Sequence, residues 1–181
     1  MLGHHSRDPD AIFTDFDFGC PKRLSEHEVI KHVYVSSRSG TIYQIGYDTE
    51  LLEQTYKNIG VPILSIAVNE YFCATGSQDN FLRIQPLDFN DFTVTATHEA
   101  AAVCSVEISP DGLRVLWGTA RGDLLIFDKS NSALKIIMHS HTNSVVSMDV
   151  HHKTGNIITA SKDYSIRIWD QNTQIYEYSC T

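Results

Sequence analysis

The chain has 181 residues, 42% apolar and 20% charged, with a formal net charge of −8, the composition of a folded globular chain long enough to bury a core. The acidic balance lacks the basic footprint that a phosphate backbone demands, which argues against nucleic-acid binding, and no apolar run approaches the length of a membrane helix. The first ten residues carry no apolar stretch of the kind a secretory signal needs.

Residues 1–28 place Phe13, Phe16 and Phe18 among acidic residues and read as an N-terminal extension that supplies an inner strand or covers an edge. Residues 29–60 read as an incomplete unit, because His32 to Ile45 aligns with the later string LWGTARGDLLIF. Three full units follow over 61–97, 98–139 and 140–181. Each opens on a strand of the form apolar-x-Ser-apolar-x-apolar, at Ile63–Val68, Val103–Ile108 and Val145–Val150. That irregular pattern suits a strand covered by neighbours on both faces.

A turn comes next in each unit. Ser109-Pro110-Asp111-Gly112 is the clearest, with Pro and Gly in type I turn positions; Lys153-Thr154-Gly155-Asn156 and Asn69-Glu70 fill the same slot. Second strands are predicted at Tyr71–Thr75, Arg114–Thr119 and Asn156–Ser161, and third strands at Phe81–Gln85, Asp123–Phe127 and Ser165–Trp169. The spacing is regular: Asp79, Arg121 and Asp163 lie 42 residues apart, as do Gln85, Phe127 and Trp169. A period of 40–45 residues ending in Trp-Asp is the mark of a four-stranded propeller blade.

The predicted fold is therefore all-β, a β-propeller with about three and a half four-stranded blades. Propellers close with four to eight blades, and open edges invite pairing. The chain is accordingly expected to be part of a larger propeller, with further blades or a neighbouring subunit at its open edges. The outermost strand of the last unit falls at Gln174–Tyr178.

Cys20, Cys73, Cys104 and Cys180 lie far apart without CxxC spacing. Cys73 and Cys104 fall within strand patterns as small hydrophobes, in a reducing compartment.

The last unit resembles the WD-repeat family, through His141-Thr142-Asn143-Ser144-Val145, Ile157 to Asp163, and Ile166 to Asp170. The resemblance covers about residues 30–178. It implies a buried polar relay of His141, Thr159, Asp163 and Trp169 whose role is structural. The other units depart from it: one keeps Thr75 and Asp79 but has Gln85 and no His, and the next keeps His98 beside Trp117, Arg121 and Phe127. Those blades are expected to rest on apolar packing alone. The strings LRIQPLDFNDF, VCSVEISPDGLRVL and HSHTNSVVSMDV, with His98-Glu99, resemble more narrowly the multi-propeller WD-repeat proteins of centrioles and cilia. That likeness implies a non-catalytic scaffold in centriolar or axonemal microtubule assemblies. It also implies a cytoplasmic, cytoskeletal location at the centriole or axoneme, with tubulin or microtubule-associated proteins as partners.

No enzyme site is expected. Ser65, Ser105 and Ser147 recur at one repeat position and read as structural, and no Gly-rich loop precedes a helix. His139 and His141 can share a strand face but lack a third ligand, so no metal and no cofactor is expected. Arg121-Gly122-Asp123 spells an adhesion tripeptide, yet its slot is a tight turn. Arg83 and Arg167 read as solvated strand positions with snorkelling stems. The alternative function is the substrate-recognition propeller of a ubiquitin ligase or another intracellular signalling complex. Trp169-Asp170 is followed by Gln171-Asn172, so the Trp-Asp-x-Arg motif by which such receptors dock on a common adaptor is missing. Partner-binding candidates are the turn residues Asn80, Arg121, Lys162 and Tyr164, because loops on a rigid scaffold carry contact chemistry and Arg and Tyr are favoured at hot spots.

Overall fold

Short β-branched runs punctuated by tight turns fold here as four antiparallel sheets of four strands each. The computed structural model describes residues 12–19, 32–57, 60–88, 94–131, 133–139, 141–151, 153–170 and 176–180. No helix occurs among the described residues, and none is long and apolar enough to cross a membrane.

The first blade comprises β1 (Phe13–Gly19), β2 (His32–Ser37), β3 (Thr41–Gly46) and β4 (Leu52–Lys57). The second has β5 (Ile63–Val68), β6 (Phe72–Ser77), β7 (Phe81–Pro86) and β8 (Val94–Thr97). The third has β9 (Val103–Ile108), β10 (Arg114–Thr119), β11 (Asp123–Asp128) and β12 (Ala133–His139). The fourth has β13 (Val145–Val150), β14 (Ile157–Ser161), β15 (Ile166–Trp169) and β16 (Tyr176–Cys180). Within each blade the strands pair in sequence order. The unit that looked incomplete is thus a full sheet: Phe13–Gly19 pairs with β2 as its inner strand, on the register Phe16↔Val35 and Asp17↔Tyr34. Its signal was faint because Asp15 stands where the other inner strands carry Ser65, Ser105 and Ser147.

β1, β5, β9 and β13 lie side by side around the axis, and their sheets stack face to face. Three apolar seams follow. Tyr34 and Ile42 of blade 1 pack on Ile63, Ile66 and Val68. Ala74, Leu82 and Ile84 of blade 2 pack on Val103, Val106 and Trp117. Leu116, Leu124 and Ile126 of blade 3 pack on Val145, Met148, Val150 and Trp169. Burying each such side chain stabilises by about 1.5–3 kcal/mol, so the seams account for most of the cohesion between blades.

The recurring inner-strand serine acts at these seams. Ser65 Oγ donates to Asp15 Oδ2 at 2.8 Å on the preceding blade and accepts the Val106 N–H at 3.1 Å from the following one. Asp15 also accepts the Ile66 N–H at 3.1 Å, and Asp17 the Val68 N–H at 2.7 Å. Hydrogen bonds that would otherwise be lost at a sheet edge are thus made across blades.

Asp17, Glu107 and Asp149 share one inner-strand position in blades 1, 3 and 4. Burial, reinforced by Asp17, Asp149 and Asp15, pushes the Glu107 carboxyl up to about 8. A raised carboxyl pKa means the folded chain keeps a proton that the unfolded chain has released between about pH 4.5 and 8. Stability is therefore expected to fall as pH rises through that window, at the steepest by about 1.4 kcal/mol per pH unit. Denaturant unfolding of the parent and Glu107→Gln at pH 5 and pH 8 checks this; an equal slope in both proteins would contradict it.

Candidate functional site

Two arrangements stand out, a buried polar relay in blade 4 and the turn face above it. In the relay, the Trp169 indole N–H donates to Thr159 Oγ1 at 2.9 Å, and Thr159 Oγ1 lies 2.8 Å from His141 Nε2. Because the Asp163 carboxylate beside Nδ1 can only accept, the proton of the neutral imidazole sits on Nδ1, and Nε2 accepts the Thr159 hydroxyl hydrogen. Nδ1 lies 3.0 Å from Asp163 Oδ2 and 3.0 Å from Ser165 Oγ. Asp163 further accepts from the N–H groups of Thr142 at 3.1 Å and Ser165 at 2.9 Å. Trp169, Thr159 and His141 are buried.

The electrostatics follow from this cage. Burial lowers the His141 pKa against the opposing pull of Asp163, which keeps the ring neutral. Burial works to raise the Asp163 pKa, but the hydrogen bonds from Ser165, Thr142 and His141 outweigh it and hold the carboxyl well below the usual range. The imidazole is buried with both of its nitrogens within hydrogen-bond distance of partners. The arrangement ties the loop entering β13 to β14, to the β14–β15 turn and to β15.

Blade 2 departs from the expectation that apolar packing alone supports it. Arg83, read from sequence as solvated, is 6% exposed. Its guanidinium reaches Ser77 Oγ at 2.6 Å and Asp79 Oδ1 at 3.0 Å, with its carbon 5.0 Å from the Phe81 ring centre. Burial opposes the Asp79 charge, yet Arg83 and Ser77 lower its pKa overall. With no histidine in that blade, the Asp of the turn recruits an arginine four residues on. In blade 3, His98 Nε2 lies 3.6 Å from Asp123 Oδ2, beyond hydrogen-bond distance, and is buried without a hydrogen-bond partner. Thr75 Oγ1 and Trp117 Nε1, at the position of Thr159, are buried without a hydrogen-bond partner, each at a cost of about 1–3 kcal/mol. Arg167 is half-buried, 3.9 Å from Asp163.

His98, Glu99 and Asp123 bring three ligand-type atoms within 4.8 Å of one another. Arg121 Nη1 lies 3.2 Å from Glu99 Oε2, a positive charge that works against a cation there. The His139 side chain lies outside the described residues.

The turn face is built where the second-to-third-strand turn of each blade meets the loop entering an inner strand. Gln78 N–H bonds Pro62 O, Ala120 N–H bonds Ala102 O, and Lys162 N–H bonds Ser144 O, at 2.9–3.0 Å. One residue in each turn adopts a left-handed φ: Gly40 at 78°, Asn80 at 74°, Gly122 at 92° and Tyr164 at 66°. Glycine and asparagine tolerate that region; a tyrosine does not without strain. Tyr164 is nevertheless 89% exposed. Lys162 and Arg121 are exposed beside the turns, Arg121 held by Glu99, while Asn80 is half-buried. Of the four candidates, Tyr164, Lys162 and Arg121 are presented to solvent. Gln171 to Ile175, in the stretch named above for the missing motif and the outer strand, lie outside the described residues.

Comparison with known proteins matches residues 132–170 to the WD domain, G-beta repeat. WD repeat-containing protein 90 of Xenopus tropicalis is 36% identical over 92% of this chain and 10% of its own length, and that of Homo sapiens is 34% identical over 98% and 11%. Centriole proteome protein 16 of Chlamydomonas reinhardtii is 34% identical over 72% of the chain and 6% of its own. The chain thus spans about a tenth of the length of the first of these relatives. A chain in a crystal structure of the mitotic checkpoint complex superposes with a TM-score of 0.73 at 16% identity, over 82% of this chain and 47% of that one.

Proposed function

We propose, from its membership of the WD-repeat β-propeller family, that this chain is a non-catalytic docking module within centriolar or axonemal microtubule assemblies. The observation that carries the docking role is Tyr164. Blades that place Gly or Asn at this turn position avoid strain, whereas blade 4 holds an aromatic there at φ 66° and leaves it 89% exposed. A strained, solvent-facing aromatic on a rigid turn is the kind of group that fills a partner's pocket. The microtubule setting is supported by likeness to proteins whose names and sequences belong to WD-repeat and centriole proteins. With a net charge of −8, the module does not grip acidic tubulin tails by bulk attraction; contact runs through Tyr164, Lys162 and Arg121, or through other subunits.

Localising the tagged protein at its full natural length tests the setting. Enrichment on centrioles or axonemes is the expected result, and a diffuse signal contradicts it. The docking residue has its own test. Tyr164→Gly should leave stability unchanged or raise it by up to about 1 kcal/mol, because relief of left-handed strain offsets the added backbone entropy. Partner capture should weaken at the same time, as read by thermal unfolding beside co-purification.

A further inference from the structure

In blade 4 the histidine of the entry loop is satisfied by Thr159 and Asp163. Blade 3 carries Trp117 and Arg121 at those two positions, 42 residues earlier, so its own entry-loop histidine meets neither kind of partner. His98 is 9% exposed, and its buried Nε2 makes no hydrogen bond. A ring nitrogen withdrawn from water and left unpaired calls for a partner from outside the chain. What faces it is negative. Asp123 Oδ2 lies 3.6 Å away on a side chain that is itself buried, and Glu99 completes a set of three ligand-type atoms within 4.8 Å of one another. Neighbouring residues of an extended chain point to opposite sides; the left-handed φ of Glu99, 44°, breaks that alternation, so its carboxylate reaches the same place as His98. The 3.6 Å gap is too long for a hydrogen bond, yet two ligands about 2.0–2.1 Å from one tetrahedral ion stand roughly 3.3 Å apart.

We propose that His98, Glu99 and Asp123 bind a divalent ion of the zinc type, through Nε2 and one oxygen of each carboxylate, with water in the fourth position. The imidazole nitrogen selects against magnesium and calcium, which take oxygen ligands. The ion ties the loop entering β9 to the start of β11, much as the polar relay ties the entry loop of blade 4 to its own second and third strands. Arg121 is the competitor. Its Nη1 lies 3.2 Å from Glu99 Oε2, but the two side chains are 62% and 50% exposed, and an ion pair so open to water yields to a metal at little cost. Binding therefore releases the Arg121 guanidinium on the turn face. None of this depends on the microtubule setting or on docking through Tyr164.

Zinc chloride titrated into the chelator-treated 181-residue chain, followed by calorimetry and thermal unfolding, tests the site. The tightest-binding equivalent is expected to raise the melting temperature, because it binds the folded chain alone, and to shift the His98 ring-nitrogen resonance. Magnesium chloride should do neither. His98 is buried, so the deciding variants are the exposed ones, whose metal-free unfolding should match the parent. Glu99→Gln should weaken zinc binding at least about tenfold. Arg121→Ala, which frees Glu99, should tighten it about threefold. Absence of stoichiometric binding, binding that Glu99→Gln leaves unchanged, or an equal melting shift with magnesium would each overturn the proposal.

Discussion

Replacing Trp169 with Ala is expected to destabilise the chain by about 3–5 kcal/mol, the range for removing a fully buried aromatic. Trp169 is 1% exposed in the seam between blades 3 and 4, and it also anchors Thr159 through its indole N–H. Trp169→Phe separates the two contributions. It keeps most of the packing but leaves Thr159 without its donor, for an expected loss of about 1–3 kcal/mol. Asp163→Ala, which strips His141 of its carboxylate, should fall in the same range. Denaturant unfolding of the three variants measures these losses. If Trp169→Phe and Asp163→Ala unfolded like the parent while partner capture vanished, the relay would be a binding element and not a stability element.

Gly122→Val is the second large effect expected, about 3 kcal/mol or more. A Cβ at Gly122 would stand 2.2 Å from His141 O and 2.7 Å from Asn143 O, both backbone atoms, at a φ of 92°. Left-handed strain in a β-branched residue and the collision with the entry loop of blade 4 act together. The Gly122 carbonyl also accepts the His141 N–H at 2.9 Å, so a displaced turn would disturb the relay it abuts. Thermal unfolding gives the loss directly, and a drop below about 1 kcal/mol would contradict the packing described.

Period and turn chemistry made the fold legible. A 42-residue spacing placed Arg114–Thr119 at its observed limits and most other strands within a residue, because most of the turns carry their own Gly, Asn or Pro signal. The four relay residues came from the resemblance of the last unit to the WD-repeat family, carried over position by position within one blade. What was not legible depends on contacts between side chains of unlike type. Arg83 looks solvated by alternation alone; its burial follows from an Asp79 left without a histidine. The 3.6 Å approach of Asp123 to His98 comes from a position two residues off the repeat. For residues 1–28 the sequence leaves an inner strand and an edge cover as alternatives, and what decides between them is visible only in three dimensions: β1 pairs with β2, and Asp15 and Asp17 accept N–H groups from blade 2. The strain at Tyr164 is a backbone property, and no pattern of residue types reports it until the turn is superposed on Gly40, Asn80 and Gly122.

The central claim is that the chain is a scaffold that docks through its turn face. The most direct test replaces Arg121 with Ala, Lys162 with Ala and Tyr164 with Gly together in the full-length protein, and follows its place in the cell. The 181-residue chain carrying the same changes serves as the stability control. All three side chains are exposed, so unfolding should be unchanged within about 0.5 kcal/mol apart from the gain at Tyr164. The expected result is loss of enrichment at centrioles or axonemes with the fold intact. Full retention of that enrichment by the triple variant would contradict the account.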